Sequence, residues 1–214
     1  PPSCGPTSST APTRSDSSTA PVTTQVRSLW PPVALGDVIA IIDIPKIDKT
    51  IYAVAGIRTN DLKQGLGHYP ETPLPGQFGN VAFAGHRTTY GAPLFDVDSL
   101  VAGDEIIVTT LTSQLYVYRM VGEAQIVSPS EYGVIRDFDP TKATLTLTSC
   151  HPRYSAKKRI VIKAELDVAL SSPVQFATPY YGRTPDPPTP DDGLSDPDVV
   201  SPPDTSGCLL YTSP

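Results

Sequence analysis

The chain has 214 residues, 25 of them proline, close to 12% and about twice ordinary usage, and its formal net charge is −6. Fifteen glycines cannot fill every third position, which excludes a collagen repeat, and no run of roughly 18 apolar residues exists to span a membrane. The acidic balance argues against a nucleic-acid binder.

Proline and charge are unevenly spread. Residues 1–32 and 170–214 hold 7 and 10 of the prolines, and the C-terminal stretch carries six Asp against one Arg. The middle, 33–169, holds only 8 prolines and is nearly neutral, with 13 basic and 15 acidic residues. This divides the chain into a Ser/Thr/Pro-rich disordered linker over 1–32, one globular domain over 33–169 and an acidic, Pro-rich disordered tail over 170–214. Neither end carries enough periodic apolar surface to offset its ordering entropy. About 135 residues is enough for one proper core. The first residue is not Met, so the chain reads as a fragment or processed form, from which an N-terminal signal or anchor is expected to be missing. Cys208 to Pro214 fit no preceding pattern, read as translated adapter sequence and carry no functional weight.

In chain order, Val38–Ile44 is a β-branched run stopped by Pro45, and Lys49–Val54 follows after a short turn. Asn60–Gly65 is the better helix candidate, with Asn60 as its cap, and a short strand is read at Leu66–Tyr69. After a Pro/Gly-rich loop comes Asn80–Ala84, then a helical turn or two within Leu94–Leu100. Asp104–Leu111 and Leu115–Val121 follow, the second alternating at period two. Ala143–Thr148 alternates strictly, with Leu145 and Leu147 on one face and threonines on the other, and Arg159–Leu166 ends the series. Seven or eight short strands with one or two short helices predict an all-β domain, a sandwich or a closed barrel. Closure would remove exposed strand edges.

Cys150 is the only cysteine of the domain; Cys4 and Cys208 lie in the tails, and a bridge between those two is not expected. No C-x-x-C or similar metal spacing exists. The Cys150 side chain is therefore either a small buried hydrophobe or a reactive thiol. It sits at a strand tip, because Pro152 cannot continue a central ladder. Five cations follow it (Arg153, Lys157, Lys158, Arg159, Lys163), and positive charge near a thiol favours the thiolate. A thiol nucleophile needs a proton acceptor or ion-pair partner. His86 follows a strong strand and can serve through the fold. His151 is adjacent to Cys150 but its side chain should point away, and His68, in a Gly/Pro-rich loop, suits a structural hydrogen-bonding role.

Four stretches resemble the sortases, the cysteine transpeptidases of Gram-positive surfaces. Gly79–Arg87 resembles the segment ending in the family's catalytic His. Ala102 to Val108 resembles its Gly-Asp-x-Ile strand, and Thr146–Cys150 its T-L-x-T-C signature, with Ser149 in place of Thr. Arg159, nine residues after Cys150, matches the family arginine. Gly67–Pro70, Gly85–Pro93 and Cys150–Pro152 are similar to class E sortases of actinobacteria, which are thought to prefer an L-A-x-T-G sorting signal.

The resemblance implies a sortase-type closed barrel. It also implies a catalytic triad of His86, Cys150 and Arg159, with Tyr90, Thr148 and Ser149 shaping the peptide site, and neither metal nor organic cofactor. The partners it implies are a sorting-signal peptide, cut between Thr and Gly, and the amine of a lipid-linked peptidoglycan precursor, at the extracellular face of the cytoplasmic membrane or the cell wall. Residues 1–36 lack the Asp-Pro-aromatic lid of many pilin-polymerising sortases, which disfavours that alternative. A non-catalytic surface-binding module, with Cys150 buried and the basic loop contacting acidic polymers, is the alternative from another class.

Overall fold

The computed structural model describes residues 30–136 and 139–176. Alternating apolar side chains and turn residues resolve into nine strands: β1 (Val38–Ile44), β2 (Lys49–Ala55), β3 (Leu66–His68), β4 (Gly79–Gly85), β5 (Glu105–Thr110), β6 (Leu115–Met120), β7 (Gln125–Val127), β8 (Ala143–His151) and β9 (Lys158–Leu166). Two one-turn helices accompany them, α1 (Thr59–Leu62) and α2 (Gly133–Arg136), with 3-10 turns at Pro45–Ile47 and Val97–Ser99. The strand order is β6-β5-β1-β2-β3-β4-β8-β9, and β6 pairs back onto β9, closing an eight-stranded barrel. β7 is a ninth strand outside that ring. β9 carries β8 along one side; on the other it pairs with β7 at Arg159–Val161 and with β6 at Ala164–Leu166.

The closed all-β barrel agrees with the sequence expectation, and each run read as a strand forms one. Three details differ. β7 was not expected: Gln125-Ile126-Val127 is short and mostly exposed, so it shows no period-two pattern. α2 was also missed, being a single turn that opens on a glycine. Helix α1 begins at Thr59 rather than being capped by Asn60. Asp61, at the third helical position, reaches back to close its first turn: the Arg58 amide and Nε both donate to Asp61 Oδ2, at 3.0 and 2.9 Å.

Two apolar clusters divide the strands by face. Ile39, Ile42, Phe83, Leu145, Leu147, Ile160 and Ile162 fill the barrel interior with the other large side chains. Ala82, Ala84, Ile57, Tyr69 and Ile135 form a smaller cluster on the outer side of β4 and β8, beneath α2. Asn80 anchors this outer layer. Its Nδ2 donates to the Ile135 carbonyl at 2.8 Å, while its Oδ1 accepts from Thr144 and Thr146 hydroxyls at 3.2 and 2.8 Å. The Thr face of β8, which reads as polar in sequence, is thus a buried hydrogen-bonded layer.

The two composition-defined tails lie outside the described residues except for 30–32 and 170–176, and Cys4 and Cys208 lie outside them too. Residues 171–176 run along the barrel. β6 pairs with β9 only from Tyr118 onward, which leaves main-chain groups of Leu115 and Val117 to be satisfied by other partners. The hydroxyls of Ser172 and Ser171 accept from those two amides at 3.1 and 2.9 Å, and the Gln175 carbonyl accepts from the Phe78 amide at 2.9 Å. The packed region therefore extends to 176, beyond the composition break at 169. Among the described residues no helix is long and apolar enough to cross a membrane.

Candidate active site

Register brings the three candidate residues to one place. β4 and β8 run parallel, with Gly79 opposite Ala143 and Gly85 opposite Ser149. His86 and Cys150 are the next residue on each strand. β8 and β9 run antiparallel with Cys150 directly opposite Arg159. Neighbouring strands lie about 4.8 Å apart, and register partners point to the same face. Leu145 and Leu147 face the interior, so alternation turns Thr146, Thr148 and Cys150 outward. On β9, Ile160 and Ile162 face inward, which leaves Arg159 outward beside Cys150. His86, two residues beyond Ala84, continues the outward face of β4.

Cys150 is buried, with 7% of its surface exposed. Its sulfur is in disulfide form in this structure, a third state beside the buried hydrophobe and the reactive thiol. Nucleophilic chemistry at this position belongs to the reduced thiol. His86 is also buried, and its Nε2 has no hydrogen-bond partner. Burial, and then the Lys63 charge, hold the imidazole below its ordinary value, so it rests neutral near pH 7. A neutral imidazole with a free ring nitrogen can accept a proton.

Gly85 sets the approach of this histidine. A Cβ there would stand 2.4 Å from Leu66 Cδ2 and 2.8 Å from Leu94 Cδ1, so only glycine lets the end of β4 pass under both side chains. The Leu94 amide donates to the His86 carbonyl at 3.2 Å and fixes the turn.

Arg159 is half-buried and makes no ion pair with a carboxylate among the described residues; its Nη1 donates to the carbonyls of Ala156 and Lys158 at 3.0 and 3.2 Å. Burial pushes the guanidinium down from its ordinary value, opposed by Tyr69 and Tyr132, and an arginine remains a cation there. A cleft lies beside it, bounded by Tyr69, Ser128, Glu131, Tyr132 and Val161, between the barrel wall and the β7–α2 segment. A cation without a carboxylate partner at the end of such a cleft can bind a peptide carbonyl or a developing oxyanion.

The other candidates part company. Thr148 faces the site side, where its hydroxyl meets the Tyr69 hydroxyl at 3.1 Å and donates to the Phe83 carbonyl at 3.3 Å. Ser149 lies on the opposite, inward side, and its hydroxyl donates to the Gly85 carbonyl at 2.7 Å; it fastens β8 to β4 rather than lining the cleft. Tyr90 is 45% exposed, with its ring 4.9 Å from the His86 ring. His68 is fully buried against Pro73 and Phe83, away from solvent, in the structural role expected. His151 is turned from Cys150 by strand alternation, as expected. Sequence reasoning missed Tyr69 and Tyr132 as walls of the cleft. Tyr69 stood in the Gly67–Pro70 stretch, but no local signal places its hydroxyl on Thr148. Among the described residues, no group of three or more His, Cys, Asp or Glu is placed to hold a metal.

A closed β-barrel with Cys, His and Arg converging on one outer face is the architecture of cysteine transpeptidases of the sortase type. The sortase-domain model matches residues 42–167, and the chain belongs to the sortase family. It is 33% identical over 140 residues to sortase SrtE1 of Streptomyces coelicolor, covering 59% of this chain and 40% of that protein. It is 30% identical over 130 residues to sortase D of Bacillus subtilis, covering 59% and 63%. The chain thus spans between two fifths and two thirds of the length of these relatives. Among solved structures, sortase E of Streptomyces avermitilis is 33% identical with a TM-score of 0.56, covering 63% of this chain and 90% of that one. A Clostridium perfringens sortase D5 transpeptidase is 33% identical with a TM-score of 0.57, covering 63% and 81%. Sortase E1 of S. coelicolor, solved with a tripeptide in its active site, is 28% identical with a TM-score of 0.56, covering 63% and 90%. The Streptomyces relatives mark this chain as class E-like.

Proposed function

We propose that this chain is a sorting-signal transpeptidase, with its catalytic domain over 33–169, which cleaves an L-A-x-T-G or L-P-x-T-G peptide between Thr and Gly. The observation that carries the reading is that β8 and β9 pair Cys150 directly with Arg159, while the parallel β4–β8 ladder ends one residue before His86 and Cys150. In the first step His86 takes the proton of the reduced Cys150 thiol as its Sγ attacks the Thr carbonyl carbon. The carbonyl oxygen becomes an oxyanion facing the Arg159 guanidinium. The C–N bond then breaks, His86 gives a proton to the departing glycine amine, and a thioester remains on Cys150. In the second step an acceptor amine attacks the thioester carbonyl, His86 takes the amine's proton, and the Cys150 thiolate departs and recovers that proton from His86. A new amide forms and the enzyme is regenerated.

The cleft beside Arg159 receives the residues preceding the scissile bond, with Tyr69, Thr148 and Tyr132 as its walls. The acceptor is the amine of a lipid-linked peptidoglycan precursor, which places the enzyme at the outer face of the cytoplasmic membrane. Incubating the reduced chain with fluorogenic L-A-x-T-G and L-P-x-T-G peptides tests the reading. Cleavage by wild type and none by Cys150→Ala is expected. Intact peptide with both proteins under reducing conditions overturns it.

A further inference from the structure

The β4–β8 ladder ends at Gly85 opposite Ser149, so its hydrogen bonds do not fix the separation of His86 and Cys150, the next residue on each strand. The loops leaving the two strands must hold that spacing. One residue past His86 stands Arg87; three residues past Cys150 stands Arg153. Both arginines turn to the same acceptors on the segment 95–98.

Arg87 Nε donates to the Phe95 carbonyl at 2.7 Å, and Arg153 Nε donates to the same oxygen at 3.2 Å. Arg87 Nη2 lies 2.8 Å from Asp98 Oδ1, and Arg153 Nη2 donates to that same oxygen at 2.9 Å and to Asp96 Oδ1 at 3.0 Å. The Arg153 guanidinium also stacks over the Phe95 ring at 4.4 Å. Arg87 is only 1% exposed, and neither Nη atom has an aligned hydrogen-bond partner. The 2.8 Å contact with Asp98 is thus an ion pair whose N–H does not point squarely at the carboxylate. It supplies the countercharge a buried guanidinium requires. Arg153, on the solvent side, completes the bridge.

We propose that Asp98 and Arg153 are positioning residues for the transpeptidation reaction. Through the shared Phe95 carbonyl and Asp98 carboxylate they tie the end of β4 to the loop after β8, and so hold the His86 imidazole at the reacting distance from the Cys150 sulfur. Asp98 is suited to the task at working pH. Partial burial pushes its carboxyl up, but the charges of Arg87 and Arg153 outweigh this and hold it below the ordinary carboxylate range. The ionised form is therefore the favoured one. The inference rests on the transpeptidase reading for its kinetic readout and on geometry alone for its second readout.

The test compares wild type, Arg153→Ala, Arg153→Lys and Asp98→Asn, all reduced, in peptide cleavage and in Cys150 alkylation by iodoacetamide across pH. Arg153 is 38% exposed, so its variants should remain folded; Asp98→Asn strips a buried cation of its countercharge and is read only if its thermal melt is cooperative. For Arg153→Ala we expect kcat to fall about tenfold while KM stays within about twofold, because misplacement acts on the chemical step. Lysine can pair with the carboxylates but cannot also reach the carbonyl as a fork, so Arg153→Lys recovers part of the loss. The alkylation pH profile of Arg153→Ala moves toward that of His86→Ala. A wild-type kcat and a wild-type alkylation profile in Arg153→Ala overturn the proposal, as does a kcat loss that merely follows the folded fraction. Failure of wild type to cleave any peptide overturns the functional reading alone, since the alkylation profiles still decide whether the clamp sets the His86–Cys150 geometry.

Discussion

Cys150 on β8 and Arg159 on β9 are direct register partners, and both point to the outer side of the barrel. A sulfur and a guanidinium one strand apart fit a thioester mechanism: the nucleophile attacks a carbonyl whose oxygen is turned toward the cation. Arg159→Ala should lower kcat about a hundredfold, the usual scale for losing one oxyanion-stabilising group, with the thermal midpoint little changed. Arg159→Lys should restore only a small part, because the ammonium lacks the planar fork. Steady-state kinetics on the sorting-signal peptide check this. A near-normal kcat in Arg159→Ala would remove the arginine from the mechanism.

His68 gives the fold an acid limit. Full burial pulls its imidazole from 6.5 down to about 4, partly offset by the bond to the Pro73 carbonyl. Unfolded chain takes up a proton near pH 6.5, whereas folded chain does so only near pH 4. Between those values the unfolded state binds more protons, so stability is full above 6.5 and falls on acidification. By about pH 4 the loss from this one group is roughly 3 kcal/mol. Denaturant melts at about pH 7, 5.5 and 4.5 should show a steeper decline for wild type than for His68→Gln. Identical declines would show that His68 is not the group responsible.

Most of the barrel was legible because its strands alternate and end at Gly or Pro. Ala143–Thr148 shows its two faces by strict alternation, and Val38–Ile44 is marked by a β-branched run stopped at Pro45. Partnerships between distant positions leave no such local mark. The inward role of Ser149 depends on Gly85, 64 residues away, and Tyr69 reaches Thr148 across 79 residues. β7 and α2 escaped because they are short and carry no local mark: Gln125-Ile126-Val127 is mostly exposed, and α2 opens on a glycine. Their placement comes from tertiary bonds, such as that from Asn80 to the Ile135 carbonyl. The site was legible as a set of residue types at strand ends.

Lys63 should tune the His86 imidazole. It is exposed, lies over the Tyr90 ring at 5.5 Å, and its charge adds to burial in lowering the His86 imidazole. Lys63→Gln removes a positive charge that opposes protonation, so the imidazole should titrate at higher pH. High salt should shrink the difference between variant and wild type, because an exposed charge is screened. NMR titration of the His86 ring protons reads this directly. A midpoint that moves down, or does not respond to the substitution, would leave burial as the sole cause.

Gly85→Ala separates packing from chemistry at the end of β4. The added methyl would meet the tips of Leu66 and Leu94, both fully buried, so neither can swing into solvent. Overpacking of this kind costs about 1–3 kcal/mol. The strand can relieve it only by lifting away from the core, which carries His86 with it and strains the Ser149 hydroxyl bond to the Gly85 carbonyl. Kinetic loss should therefore exceed what the stability loss explains: kcat falls by about tenfold or more at temperatures where the variant is fully folded. Shaving the obstacle tests the cause. Adding Leu94→Ala to Gly85→Ala should recover kcat relative to Gly85→Ala alone, even though Leu94→Ala by itself leaves a cavity and costs stability. If the double variant is slower than either single one, the methyl is not acting through Leu94.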